Sequence, residues 1–184
     1  MDKNGRIAHG PQTNIDGDIC GQILSGQQDG PVTINNYYSK SVPFRPPVQK
    51  PPRPEKFIGR ENEVADLLRD LKPERRVTIC GPGGIGKTAL AAEAIWRLAP
   101  DNNPPASFPD GIIFHDFYRQ PQAIHALEAI AYAYGGDLRP GISTAARRAL
   151  AGRQALLVLD GTEAADDLDA VLEIAGCCGV LVTS

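Results

Sequence analysis

The chain has 184 residues, 42% of them hydrophobic and 6% aromatic, with a formal net charge of −3, a length that suits one domain plus a tail. Residues 1–60 carry 8 Lys+Arg against 5 Asp+Glu, whereas 61–184 carry 11 against 17, so the globular part is acidic and nucleic acid is not its expected partner. No apolar run approaches the ~20 residues that span a bilayer, and no apolar leader opens the chain.

The first segment, 1–42, is rich in Gly, Asn and Gln. Ile15, Ile19 and Ile23 recur every fourth residue, but Gly17, Gly21 and Gly26 between them oppose a helix, so very short strands broken by turns are expected. Such a stretch has too little apolar area to fold alone. Stacked on identical copies, it could form cross-β structure with Asn/Gln ladders. Gly21-Gln22-Ile23-Leu24-Ser25-Gly26 and the Asn-rich run after it resemble the short amyloid-forming signalling motifs found ahead of bacterial nucleotide-switch proteins, which are similar to the RHIM type. Gly21 departs from that pattern, standing where a β-branched residue is expected. Two readings stand: a disordered polar tail, or a β-prone assembly motif through which copies of the chain self-associate and recruit a downstream effector.

Residues 43–54 hold six prolines in twelve, interleaved with Arg45, Lys50 and Arg53. This reads as a solvated polyproline-II linker, with the domain starting at 55. Phe57-Ile58-Gly59-Arg60-Glu61 follows, and Val64, Leu67, Leu68 and Leu71 then mark an amphipathic helix.

A strand over about 75–80 leads into Gly81-Pro82-Gly83-Gly84-Ile85-Gly86-Lys87-Thr88. This is the phosphate-cradling pattern G-x-x-x-x-G-K-[ST] without departure, and an Ala/Leu-rich helix to about residue 99 leads out of it. Glycines let successive N–H groups turn inward at phosphate oxygens, and the helix adds the positive end of its dipole. Lys87 is expected at the β- and γ-phosphates, and the Thr88 hydroxyl on Mg²⁺. Gly81 to Thr88, with the first following helical residue Ala89, make up the expected nucleotide contact.

Beyond a Pro/Asn-rich loop at 100–109, the pattern gives a strand at 111–117, a helix at 121–134 stopped by Gly135-Gly136, and a shorter helix at 143–151. The next strand, Ala155 to Asp160, is apolar without alternation, as in a parallel sheet buried on both faces. A helix over about 164–175 and a last strand at 179–183 complete an α/β sheet covered by helices on both faces. Asp160, at the C-terminal end of its strand, is placed to hold Mg²⁺ through its water shell. Cys20, Cys80, Cys177 and Cys178 show no metal spacing, and Cys80 and the Cys177-Cys178 pair, in expected strands or at their edges, read as small buried hydrophobes; a reduced cytosol is the simplest setting. Trp96 reads as core, and His115, His125 and His9 carry no catalytic pattern.

Phe57 to Glu61, the loop at 81–88, Phe108-Pro109-Asp110-Gly111, Leu156 to Asp160 and the terminal Val182-Thr183-Ser184 together resemble the NB-ARC/STAND class of signalling NTPases. The resemblance covers 57–184 and implies a cytoplasmic switch that binds ATP or ADP with Mg²⁺. It implies that Phe57, Ile58 and Arg60 frame the adenine, and that Thr183 and Ser184 begin a sensor of the γ-phosphate. In this class a fifth strand beside the first, a helical lid, a winged helix and a repeat sensor normally follow, so the chain is expected to be a fragment or product truncated after the sensor strand. The implied strand order is second, third, fourth, first, fifth. This class commonly has a second acid after the metal Asp, where this chain has Gly161. Glu163 and Asp166 are the remaining candidates to polarise water, so hydrolysis is expected to be slow and an acid placed at 161 to raise it. The alternatives are an AAA+ ATPase of the origin-recognition type, which also uses a Gly-Arg box ahead of the loop, and a P-loop kinase.

Overall fold

The computed structural model describes residues 44–139 and 141–184. The assembly-motif reading, Cys20 and His9 lie outside the described residues. In chain order the elements are α1 (Glu61–Asp70), β1 (Arg76–Ile79), α2 (Lys87–Leu98), β2 (Ile112–Asp116), α3 (Ala123–Ala133), α4 (Ile142–Leu150), β3 (Leu156–Asp160), a 3₁₀ turn (Thr162–Ala164), α5 (Leu168–Leu172) and β4 (Gly179–Thr183).

The four strands form one sheet in the order β1-β4-β3-β2, with all three pairings parallel. The order follows the expected one: the last strand in sequence inserts between the Asp160 strand and the strand feeding the phosphate loop. Side-chain alternation divides the core into two layers. Leu156, Val158, Leu181 and Ile112 face α1 and α2, whereas Leu157, Leu159, Val180, Val182 and Ile113 face α3, α4 and α5. Every residue of β3 and β4 is buried, which is why both read as unbroken apolar runs.

Two stretches depart from the sequence reading. The helix expected over 164–175 is the 3₁₀ turn followed by the five-residue α5. Asp166 sits between them because its carboxylate accepts from the Ala123 N–H at 2.7 Å and its own N–H donates to the Pro121 carbonyl at 3.0 Å, tying it to the start of α3. Asp167 then caps α5 by accepting from the Ala170 N–H, as aspartate favours at a helix start.

The second departure is the proline segment. Residues 47–51 do not run free but lie as a strap along β2. The Ile112 N–H donates to the Pro47 carbonyl at 2.7 Å and the Gln49 N–H to the Ile112 carbonyl at 2.9 Å, a parallel bridge centred on Val48. The strap continues onto α2: Lys50 Nζ donates to the Ala99 carbonyl at 2.8 Å, and Trp96 Nε1 donates to the Pro51 carbonyl at 3.0 Å. Trp96 is therefore not core but a half-buried platform for the strap, with Lys50 Nζ 3.6 Å from its ring centre. Proline suits such a path because the bridge asks for donors at Gln49 and Ile112 and none from Pro47. The thiols also split. Cys178 is buried, whereas Cys177 and Cys80 are exposed.

Candidate functional site

The loop between β1 and α2 is folded on itself by its own groups. Gly86, at φ 87°, caps α2, and its carbonyl accepts from the Leu90 N–H at 2.9 Å. Lys87 curls back, its ammonium donating to the Gly81 carbonyl at 2.8 Å and the Pro82 carbonyl at 3.4 Å. Arg60, itself at φ 59°, reaches across with Nη1 donating to the Ile85 carbonyl at 3.1 Å while Nε pairs with Glu63 at 2.9 Å. The segment at 57–61 is thereby tied to the loop from outside.

Asp160 ends β3 directly beside the start of α2. Its carboxylate accepts from the Thr88 hydroxyl at 2.8 and 3.0 Å and from the Thr183 hydroxyl at 2.6 Å. Thr183 Oγ1 in turn accepts from the Gly161 N–H at 2.9 Å, and the Thr162 hydroxyl donates to the Thr183 carbonyl at 3.0 Å. Asp160 and Thr183 are 4% and 1% exposed, so both orientations are fixed from within the sheet. A carboxylate beside a hydroxyl is a pair of hard oxygen donors of the kind magnesium takes while keeping several waters. Among the described residues no group of three or more His, Cys, Asp or Glu is placed to hold a metal by itself.

The mouth of the site is closed on one side by Tyr118, two residues beyond β2. Asp116 Oδ1 accepts from the Tyr118 N–H at 3.0 Å, which turns the chain so that the ring lies over Gly161. The phenol donates to Glu163. That bond, with smaller help from the Lys87 charge, holds the Glu163 carboxyl below the usual carboxylate range and pushes the phenol up.

An open cleft of about 510 Å³ runs along the loop. It is lined by Gly83, Gly84, Gly86, Lys87 and Thr88 of the loop, by Ala89 and Ala92 of α2, by Pro52, Arg53 and Pro54, and by Tyr118. A second cleft beside it is lined by Arg53, Pro54, Glu55, Phe57 and Glu93.

Sequence-derived candidates thus come together unequally. Lys87, Thr88 and Ala89 line the cleft, Asp160 is bonded to Thr88, Arg60 reaches the loop at the Ile85 carbonyl, and Phe57 lines the neighbouring cleft. Ile58 is 88% exposed and lines neither. Thr183 is inside the sheet, bonded to Asp160. Glu163 is engaged by Tyr118, and Asp166 by α3. His115 is buried, its Nε2 donating to the Gln120 carbonyl at 3.0 Å against the Phe117 ring. Sequence reasoning missed Tyr118 and Pro52–Pro54. Tyr118 was within reach of it, because adjacent second and third strands put the turn after one beside the turn after the other.

No family model matches this chain. Over 91 residues it is 45% identical to a "nucleotide-binding leucine-rich repeat (NLR)-like protein" of Hyaloscypha variabilis, a match covering 46% of this chain and 8% of that protein. Among solved structures it resembles the ORC1 protein of Aeropyrum pernix in complex with DNA, with a TM-score of 0.57 at 17% identity over 71% of this chain and 40% of that one. It also resembles the ORC2 protein of the same organism, solved as ADPNP–ADP complexes, with a TM-score of 0.53 at 16% identity over 74% and 43%. The chain therefore spans less than a tenth of the curated relative and about two fifths of the solved chains. At this identity the structural likeness speaks for the fold, which is that of a P-loop NTPase.

Proposed function

We propose that the chain carries a nucleotide switch: ATP or ADP with Mg²⁺ binds at 81–88, turnover is slow, and the bound state governs assembly through residues 1–42. The observation that supports this most is the meeting of Thr88, Asp160 and Thr183 beside a complete phosphate loop. Lys87 exchanges the Gly81 and Pro82 carbonyls for phosphate oxygens, which costs little because both partners accept from an ammonium. Thr88 and Asp160 would hold Mg²⁺, which when bound offsets phosphate charge. Arg60 steadies the loop, and the apolar faces of Pro52, Pro54, Ala89 and Ala92 take the nucleoside end.

Slow turnover follows from where the carboxylates are. Position 161 has no side chain, Asp166 is tied to α3, and Glu163 shares its charge with the Tyr118 phenol, leaving it a weak base for water.

The test is calorimetry of ADP·Mg²⁺ and ATP·Mg²⁺ on the chain and on Lys87→Ala. The variant is expected to lose tenfold or more in affinity, about 1.4 kcal/mol. Equal affinity in a folded variant overturns the site. Turnover of the unaltered chain is expected well below the ~10 s⁻¹ typical of enzymes. A second reading, an AAA+ ATPase acting on DNA, is favoured by the likeness to the ORC1 and ORC2 proteins. Salt-dependent binding of duplex DNA, followed by fluorescence anisotropy, would favour it over the switch.

A further inference from the structure

Pro52, Arg53 and Pro54 line the cleft together with the phosphate loop as a proline-rich wall, yet the anchors that set their position lie just outside the cleft. On the upstream side of this wall, Pro51 is buried, with its carbonyl held by Trp96 Nε1, and Lys50 is clamped between the Trp96 ring and the Ala99 carbonyl. Further back, the bridge at Val48 fixes the strap to β2. The approach there is so close that a Cβ on Gly111 would lie 2.1 Å from the Pro47 carbonyl oxygen. Two segments with no phosphate chemistry of their own are thus brought to one place, and the strap is placed by α2, the same helix that begins with Lys87 and Thr88.

We propose that Trp96 and Lys50 are positioning residues of the nucleotide cleft: they hold Pro52–Pro54 against the nucleoside end of the ligand, so strap and nucleotide stabilise each other. The inference rests on the reading of the cleft as a nucleotide site. A proline-rich wall loses little freedom when it is pinned, so a few anchors suffice to preorganise it. Coupling of this kind is reciprocal: whatever factor the docked strap adds to nucleotide affinity, nucleotide adds to strap docking. Because the strap joins residues 1–43 to the domain, this coupling gives nucleotide state a physical route to that segment.

The test uses the full chain. Lys50→Ala removes both the contact with the Trp96 ring and the bond to Ala99 without touching the loop. ADP·Mg²⁺ affinity by calorimetry is expected to fall roughly fivefold or more, and Lys50→Arg, which keeps a cation over the ring and a donor, to restore most of it. In the unaltered chain, saturating ADP·Mg²⁺ is expected to slow hydrogen exchange at the Gln49 amide several-fold. If ADP binds but Lys50→Ala binds it equally well, or the Gln49 amide exchanges at the same rate with and without ADP, the coupling is wrong and the nucleotide site stands. If the unaltered chain does not bind ADP, the site itself is wrong. The exchange measurement needs no substitution, so a poorly folded variant does not leave the proposal untouched.

Discussion

Gly161 follows Asp160 with φ 69°, and a Cβ built on it would lie 2.5 Å from the Tyr118 ring. The sequence alone made this position look like a missing acid that could be put back. The structure corrects that reading. Any side chain there must both adopt a left-handed backbone and displace the tyrosine, so Gly161→Asp is expected to lose about 1–3 kcal/mol of stability and to gain no turnover. Urea denaturation and a steady-state phosphate assay check the two halves. Adding Tyr118→Ala is expected to recover part of the stability loss, because the steric half of the problem goes with the ring. The same scale shows what a motif can carry. Lys87, Thr88 and Asp160 were legible because spacing and strand position specify them. The partner of Asp160 inside the sheet, Thr183, was read only as a phosphate sensor, since a hydrogen bond between the ends of two strands has no sequence spacing to announce it.

Among the elements, β3, β4 and the loop–α2 unit were legible because burial on both faces and the Gly-Lys-Thr pattern leave few alternatives. α5 was not, because its apolar period continues across Asp166, and only the tertiary bonds of that residue to α3 break the helix. The strap was misread for a related reason. Proline composition states that a segment is extended, not whether a sheet edge lies waiting for it. Gly111 is where the two meet, at φ 107° and with the Pro47 carbonyl almost upon it. Gly111→Ala is therefore expected to detach the strap from β2 while leaving the far side of the sheet in register. Hydrogen exchange should show the Gln49 amide losing protection, with the Val180 amide, which donates to the Arg75 carbonyl, unchanged. Equal loss at both would mean that the strap is integral to the sheet rather than laid on it.

For the whole molecule, the strap covers one edge of the sheet and, among the described residues, no strand covers the other. The outer edge of β1 runs Arg76-Val77-Thr78-Ile79, with alternate residues exposed, and it carries neither proline nor charge between Val77 and Ile79 to discourage pairing. A polypeptide of residues 44–184, which keeps the strap, is expected to self-associate at about tens of micromolar, and Thr78→Lys to suppress this. Light scattering decides it: a monomer at that concentration assigns any association of the full chain to residues 1–43. The strand order has a consequence for synthesis as well. β1 must pair with β4, and Arg76 meets Val180, a partner made about 100 residues later. At ~5–20 residues per second β1 leaves the ribosome about 5–20 s before the strand that will pair with it. Chains stalled with Thr183 still in the exit tunnel are expected to be cut by protease within β1. Chains stalled on a longer tether, with β4 free, are expected to resist there, which would make pairing with β4 the step that protects β1 as translation proceeds.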